Sequence, residues 1–250
     1  MSSTQGEPPP NPPSPLIIAD IKAEMKFSAG MTFAGRAIAN FSCQHLMAAA
    51  TFRDHATALE DANRDQPFGP FYNQIRSSVS GCIMSATASL EGLINELFLA
   101  EGSRLREALG SDFECRFWGS KGIESKPILA KYERALELLG EARIDRNSID
   151  YQNMDWLIGL RNALVHFKPI WDVEHQRNMD LRETFMDRFA LSPFMHGNED
   201  FVASKCMSAG CAKWAVQSVL SFLRAFDGCA GIDAGKMAGF WFLERSSRDG

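Results

Sequence analysis

Apolar residues recur at three- and four-residue spacing over most of the chain after Gly35, and at every second position over a short stretch before it. The second pattern comes first. From Ile17 to Phe27, Ile17, Ala19, Ile21, Ala23, Met25 and Phe27 alternate with Ile18, Asp20, Lys22, Glu24 and Lys26. Period two predicts a half-buried strand. Ser28-Ala29-Gly30 reads as a turn, Met31-Thr32-Phe33 as the start of a return strand, and Phe240–Leu243 as a candidate third strand. Helical spacing then predicts segments over 35–62, 71–101, 128–139, 148–167, 172–190 and 201–226. The segment 71–101 carries the longest stripe: Ile75, Val79, Cys82, Ile83, Ala86, Leu90, Leu93, Ile94 and Leu97. Residues 102–126, with Gly110, Gly119 and Gly122, predict a short helix and a loop. Residues 191–199 predict a loop around Pro193, Gly197 and Asn198. Six helical segments with short connections predict a mainly α antiparallel bundle with a small N-terminal β segment.

Composition narrows the class. Hydrophobic residues make up 45% and charged residues 23% of 250 residues, an ordinary globular balance. Residues 1–15 are rich in Pro and Ser and are expected to stay extended or disordered, leaving 16–250 as a single domain. The net charge is −5, so no global basic field is present to hold nucleic acid. The 6 cysteines include no CxxC pair and read as small core residues of a reducing, cytoplasmic compartment. Cys206 and Cys211, five apart on one expected helix, point to different faces. The 5 histidines make no HxxxH or HExxH pattern, so no metal site and no cofactor is expected. His45, His55 and His196 read as surface or packed residues, and His175 as a solvated first-turn residue after the Pro169 break. No secretion leader is legible at the N-terminus, and no apolar run reaches the ~18 residues of a membrane span, so no membrane is expected.

The candidate chemistry lies in MDWLIGLRNALVHFKPIW, residues 154–171. Leu157, Leu160, Leu164 and Phe167 mark its buried stripe. Ser148 or Asp150 is expected to cap the helix, and Pro169 to end it near Phe167. Arg161 falls at the edge of the stripe. His166 falls on the opposite face with Asp155, Gly159, Asn162 and Ala163, a face that is small and polar. A structural account exists for each. An imidazolium is favoured at a helix C-terminus. An arginine can lay its stem along Leu157 and Leu164 with its head in water.

The run Arg161-Asn162-Ala163-Leu164-Val165-His166 resembles the Arg-x4-His signature of the HEPN superfamily, in which a polar residue, often Asn, follows the Arg. Residues 86–98, with Glu91 and Asn95 four apart, look like an earlier helix of HEPN-like proteins. The resemblance covers about residues 34–227. It implies a HEPN-like bundle and a metal-independent endoribonuclease acting through the RNA's own 2′-OH. His166 and Arg161 would be its catalytic pair, with Asn162, Glu91 and Asn95 in support. It further implies a symmetric homodimer whose motif helices share a cleft, RNA as substrate, and a cognate antitoxin protein as a partner. Glu91, a carboxylate at a core edge, or Asn95 beside it is expected to bond to the motif helix, with Arg161 as the expected partner.

Two alternatives stand beside the nuclease. One is a non-catalytic HEPN-like module that binds a nucleotide, RNA or protein through the same cleft, which suits the overall acidity. The other is a helical assembly protein in which Arg161 and His166 are structural.

Overall fold

The computed structural model describes residues 41–100, 102–168, 176–195 and 200–232, all within one compact unit spanning Asn40–Gly250. The Pro-rich tail, the expected strands at 17–27, 31–33 and 240–243, the start of the first helix, Pro169, His175 and His196 lie outside the described residues.

The described residues are mainly helical and contain no strand. Eight α-helices occur among them: α1 Phe41–Asn63, α2 Phe71–Leu99, α3 Arg104–Leu109, α4 Phe113–Trp118, α5 Ile128–Leu139, α6 Ile149–Val165, α7 Gln176–Phe185 and α8 Ala209–Ala230. The organising element is α2, which packs against α1, α3, α5, α6 and α8. Its whole expected stripe, from Ile75 to Leu97, is buried. Its length and mean hydropathy would suffice for a membrane span, but here its apolar residues form the bundle core.

Local chemistry sets the helix ends. Gly140 stops α5 in the left-handed region at φ 70°, where a side chain would be strained. Ser148 caps α6: its Oγ accepts the Tyr151 N–H at 3.3 Å. The segment expected as one helix over 201–226 is two elements. A single π-type turn, Phe201–Lys205, comes first, and α8 starts afresh behind Ser208. Ser208 Oγ accepts the Cys211 N–H at 3.0 Å and donates to the Ala190 carbonyl at 2.7 Å. Glu60, reaching across from α1, accepts the Ala209 N–H at 2.9 Å. Two side chains thus satisfy donors that a continuous helix would have spent internally. The apolar period runs through the break because both pieces bury residues in the same core.

The expected helix at 172–190 is shorter at its C-terminal end: α7 closes at Phe185, with Leu181 and Phe185 fully buried.

The C-terminal end of the motif helix as a candidate functional site

Three faces hold α6 in place. Met154, Leu157 and Leu160 are fully buried, and the helix packs on α2, α7 and α8. Its first turn is tied to α5 by a polar cluster. Arg146 donates to both Glu133 carboxylate oxygens at 2.7 Å, and the Tyr151 hydroxyl donates to Glu133 Oε1 at 2.9 Å. The Arg146 fork holds the Glu133 carboxyl below its ordinary value, and burial and the bond to Glu133 push the Tyr151 phenol up to about 12. At mid-helix Arg188 donates to Asn153 Oδ1 at 2.6 Å, and the Trp156 ring meets Phe185 edge-on at 6.2 Å.

The far end of α6 is open. The helix stops at Val165, close to the expected end, and His166 is its C-cap at φ −105°, ψ 31°. The His166 N–H still donates to the Asn162 carbonyl at 3.0 Å. Arg161 and Asn162 are half-buried and His166 is exposed. Among the described residues, no side chain bonds to those of Arg161, Asn162 or His166.

Two expectations about this helix are corrected. Phe167 is not part of the buried stripe: it is 44% exposed, and Val165 beside it is 50% exposed. The helical register ends before Phe167, so the spacing that put it in line with Leu160 and Leu164 no longer applies. On the small polar face Gly159 is buried, Asn162 and Ala163 are half-buried and Asp155 is exposed. Glu91 does not pair with Arg161. Its Oε1 receives a hydrogen bond from Lys131 Nζ at 3.2 Å, and Asn95 Oδ1 receives another at 3.1 Å. Glu91 and Asn95 do lie one turn apart and act together, but on an ammonium from α5.

Lys131 is the residue sequence reasoning missed. Its signal was its place in the stripe: it follows Ile128 by three and precedes Ala135 by four, on the face that also carries Tyr132 and Leu136. A lysine there needs acceptors, and α2 supplies them.

The two cysteines assigned to different faces come together. Cys206 and Cys211 Sγ are 3.9 Å apart and both are fully buried. The break before Ser208 turns Cys206 toward α8, which a single helix would not do. Burial, with Cys206 beside it, pushes the Cys211 thiol well up, and burial pushes Cys82 up to about 12. Such thiols are poor nucleophiles. Among the described residues no three His, Cys, Asp or Glu side chains gather as metal ligands would.

No protein-family model, no curated protein and no solved structure matches the chain.

Proposed function

We propose that the chain is a HEPN-like, metal-independent endoribonuclease that works as a symmetric homodimer. The observation that supports this most is the state of Arg161 and His166. His166 is exposed at the C-cap of α6, Arg161 is half-buried one turn before it, and among the described residues neither is held by another side chain.

The chemistry follows from the two residue types. The RNA 2′-OH attacks the adjacent phosphorus, the P–O5′ bond breaks, and a 2′,3′-cyclic phosphate and a 5′-OH result. An imidazole takes the 2′-OH proton, and an imidazolium returns one to the leaving oxygen. The Arg161 guanidinium forks onto two phosphate oxygens and stabilises the charge that builds there. Five residues of helix put the two positions about 140° apart and about 7.5 Å along the axis. One copy therefore does not aim both at one phosphate. A two-fold related copy supplies the complementary residue, which is why the dimer belongs to the proposal.

A second reading has an observation of its own. Val165 and Phe167 flank His166 with large apolar surface in water. Such a patch suits a protein- or nucleotide-binding module without catalysis.

The test is cleavage of labelled RNA by purified wild type and His166→Ala, with and without EDTA, at matched thermal stability. The proposal expects cleavage by wild type alone, unchanged by EDTA. Equal cleavage by both proteins would point to a contaminant. Binding without cleavage would favour the second reading.

A further inference from the structure

A concentration of positive charge lies where α5 meets the 119–126 loop. Arg116, Lys121, Ile123, Lys126, Arg134 and Glu137 line a cavity of about 410 Å³. Four of these six side chains are cations, in a chain whose net charge is −5. The one carboxylate is already engaged. Glu137 Oε2 receives Arg134 at 3.0 Å, and Glu137 Oε1 receives Arg143 at 2.8 Å. Among the described residues, Arg116, Lys121 and Lys126 form no ion pair. Arg116 is instead aimed by two backbone carbonyls: its Nη1 donates to Leu109 at 2.9 Å and to Ala108 at 3.3 Å.

The loop that carries the lysines is built, not slack. The N–H groups of Ile123 and Glu124 donate back to the carbonyls of Arg116 and Phe117, both at 3.1 Å. Gly122 donates to the Gly119 carbonyl at 2.7 Å, and Lys126 to Ile123 at 3.0 Å. Ile123 is buried beneath the turn. The fold-back needs a glycine: a Cβ on Gly122 would stand 2.3 Å from the Phe117 carbonyl oxygen. Like charges held together on a rigid loop repel one another, and a multiply charged anion relieves that repulsion. A preformed site also spares a ligand the cost of ordering the loop. The volume is in the range of small-molecule sites, about 300–1,000 Å³.

We propose that this cavity binds a polyphosphate anion, either free or as the tail of a nucleotide. Arg116 presents the N–H groups that its carbonyl contacts leave over, Arg134, shared with Glu137, presents its remaining ones, and the exposed Lys121 and Lys126 add point charges. The site does not depend on the nuclease assignment. Its Arg134 follows Glu133, which anchors the first turn of α6, whereas Arg161 and His166 lie toward the other end of that helix.

The test is calorimetric titration of the full chain with sodium pyrophosphate, sodium tripolyphosphate, ATP and adenosine, at low and high salt. Trp118, 53% exposed and two residues after Arg116, gives a fluorescence signal to follow in parallel. Pyrophosphate and ATP should bind, more weakly at high salt, and adenosine should not. Tighter binding of ATP than of sodium tripolyphosphate, which carries the same three phosphates, would assign the nucleotide form, and equal binding the free polyphosphate. Lys121→Glu with Lys126→Glu should weaken both anions by roughly tenfold or more, since it reverses two of the four charges. Both lysines are exposed, so the variant should melt as wild type does. His166→Ala should bind as wild type. Equal affinity for adenosine and ATP would overturn the proposal. So would undiminished binding by the charge-reversed variant. Binding of single-stranded RNA through these lysines, with neither small anion bound, would also overturn it.

Discussion

Lys131 Nζ lies 3.2 Å from Glu91 Oε1, yet the two residues differ sharply in their surroundings: the lysine side chain is 1% exposed and the glutamate 42%. The pair joins α5 to α2, and Asn95 shares the ammonium. The bond is therefore unequal. The buried ammonium depends on its acceptors, whereas the carboxylate can turn to water.

That inequality sets the order of the variants. Glu91→Ala leaves a buried cation with Asn95 alone and should cost about 2–3 kcal/mol, below the ~3–5 kcal/mol of a fully buried pair because Glu91 is partly solvated. Lys131→Met keeps the packed stem and should cost under about 1 kcal/mol. Urea unfolding of the three proteins checks this. A larger loss for Lys131→Met than for Glu91→Ala would refute the assigned roles.

Glu133 makes a pH-dependent contribution. Its folded carboxyl sits below the unfolded value, chiefly through its hydrogen bonds from Arg146. The stabilisation is thus present above the unfolded carboxyl pKa and is lost as pH falls through the folded one. Glu133→Gln should melt below wild type at neutral pH, and the gap should close in acid. A gap that persists at the lowest pH would show that packing, not charge, carries the effect.

Glu60 has the opposite sign. Burial raises its carboxyl, against the lowering effect of the Ala209 N–H bond. A raised folded value favours the protonated form. That contribution is full below the unfolded pKa and is lost as pH rises through the folded one. A glutamine keeps an oxygen for the Ala209 N–H and carries no charge. Glu60→Gln should therefore equal or exceed wild type in melting temperature at neutral pH and lose that advantage in acid. Glu60→Ala should melt lower at both, since it removes the acceptor at the start of α8, a loss of about 1 kcal/mol.

For the proposed nuclease, Arg161→Lys should keep the fold but recover only part of the activity, because an ammonium cannot make the two-pronged phosphate contact. Asn162→Ala should lower cleavage less than His166→Ala does. Rates at matched stability, measured on one RNA, check the order. Full activity in Arg161→Lys would remove the guanidinium fork from the mechanism.

Local pattern alone determined much of this protein. The stripe of α2, the limits of α5 at Ile128 and Leu139, the Ser148 cap and the stop of α6 near Val165 all follow from residues within a few positions of each other. Helical periodicity and capping are short-range effects, so the sequence carries them openly. The nearness of Arg161 and His166 along the chain was legible for the same reason. What tertiary structure decided was who meets whom. Lys131 took Glu91 and Asn95 because α5, not α6, lies over that edge of α2. Cys206 met Cys211 because Ser208 and Glu60 restarted the helix between them. The cations of the 119–126 loop converged on Arg134 because Gly122 lets the chain fold back on Phe117. Each of these contacts depends on how separate segments pack. A periodic stripe says only that a face is buried, not which neighbour buries it.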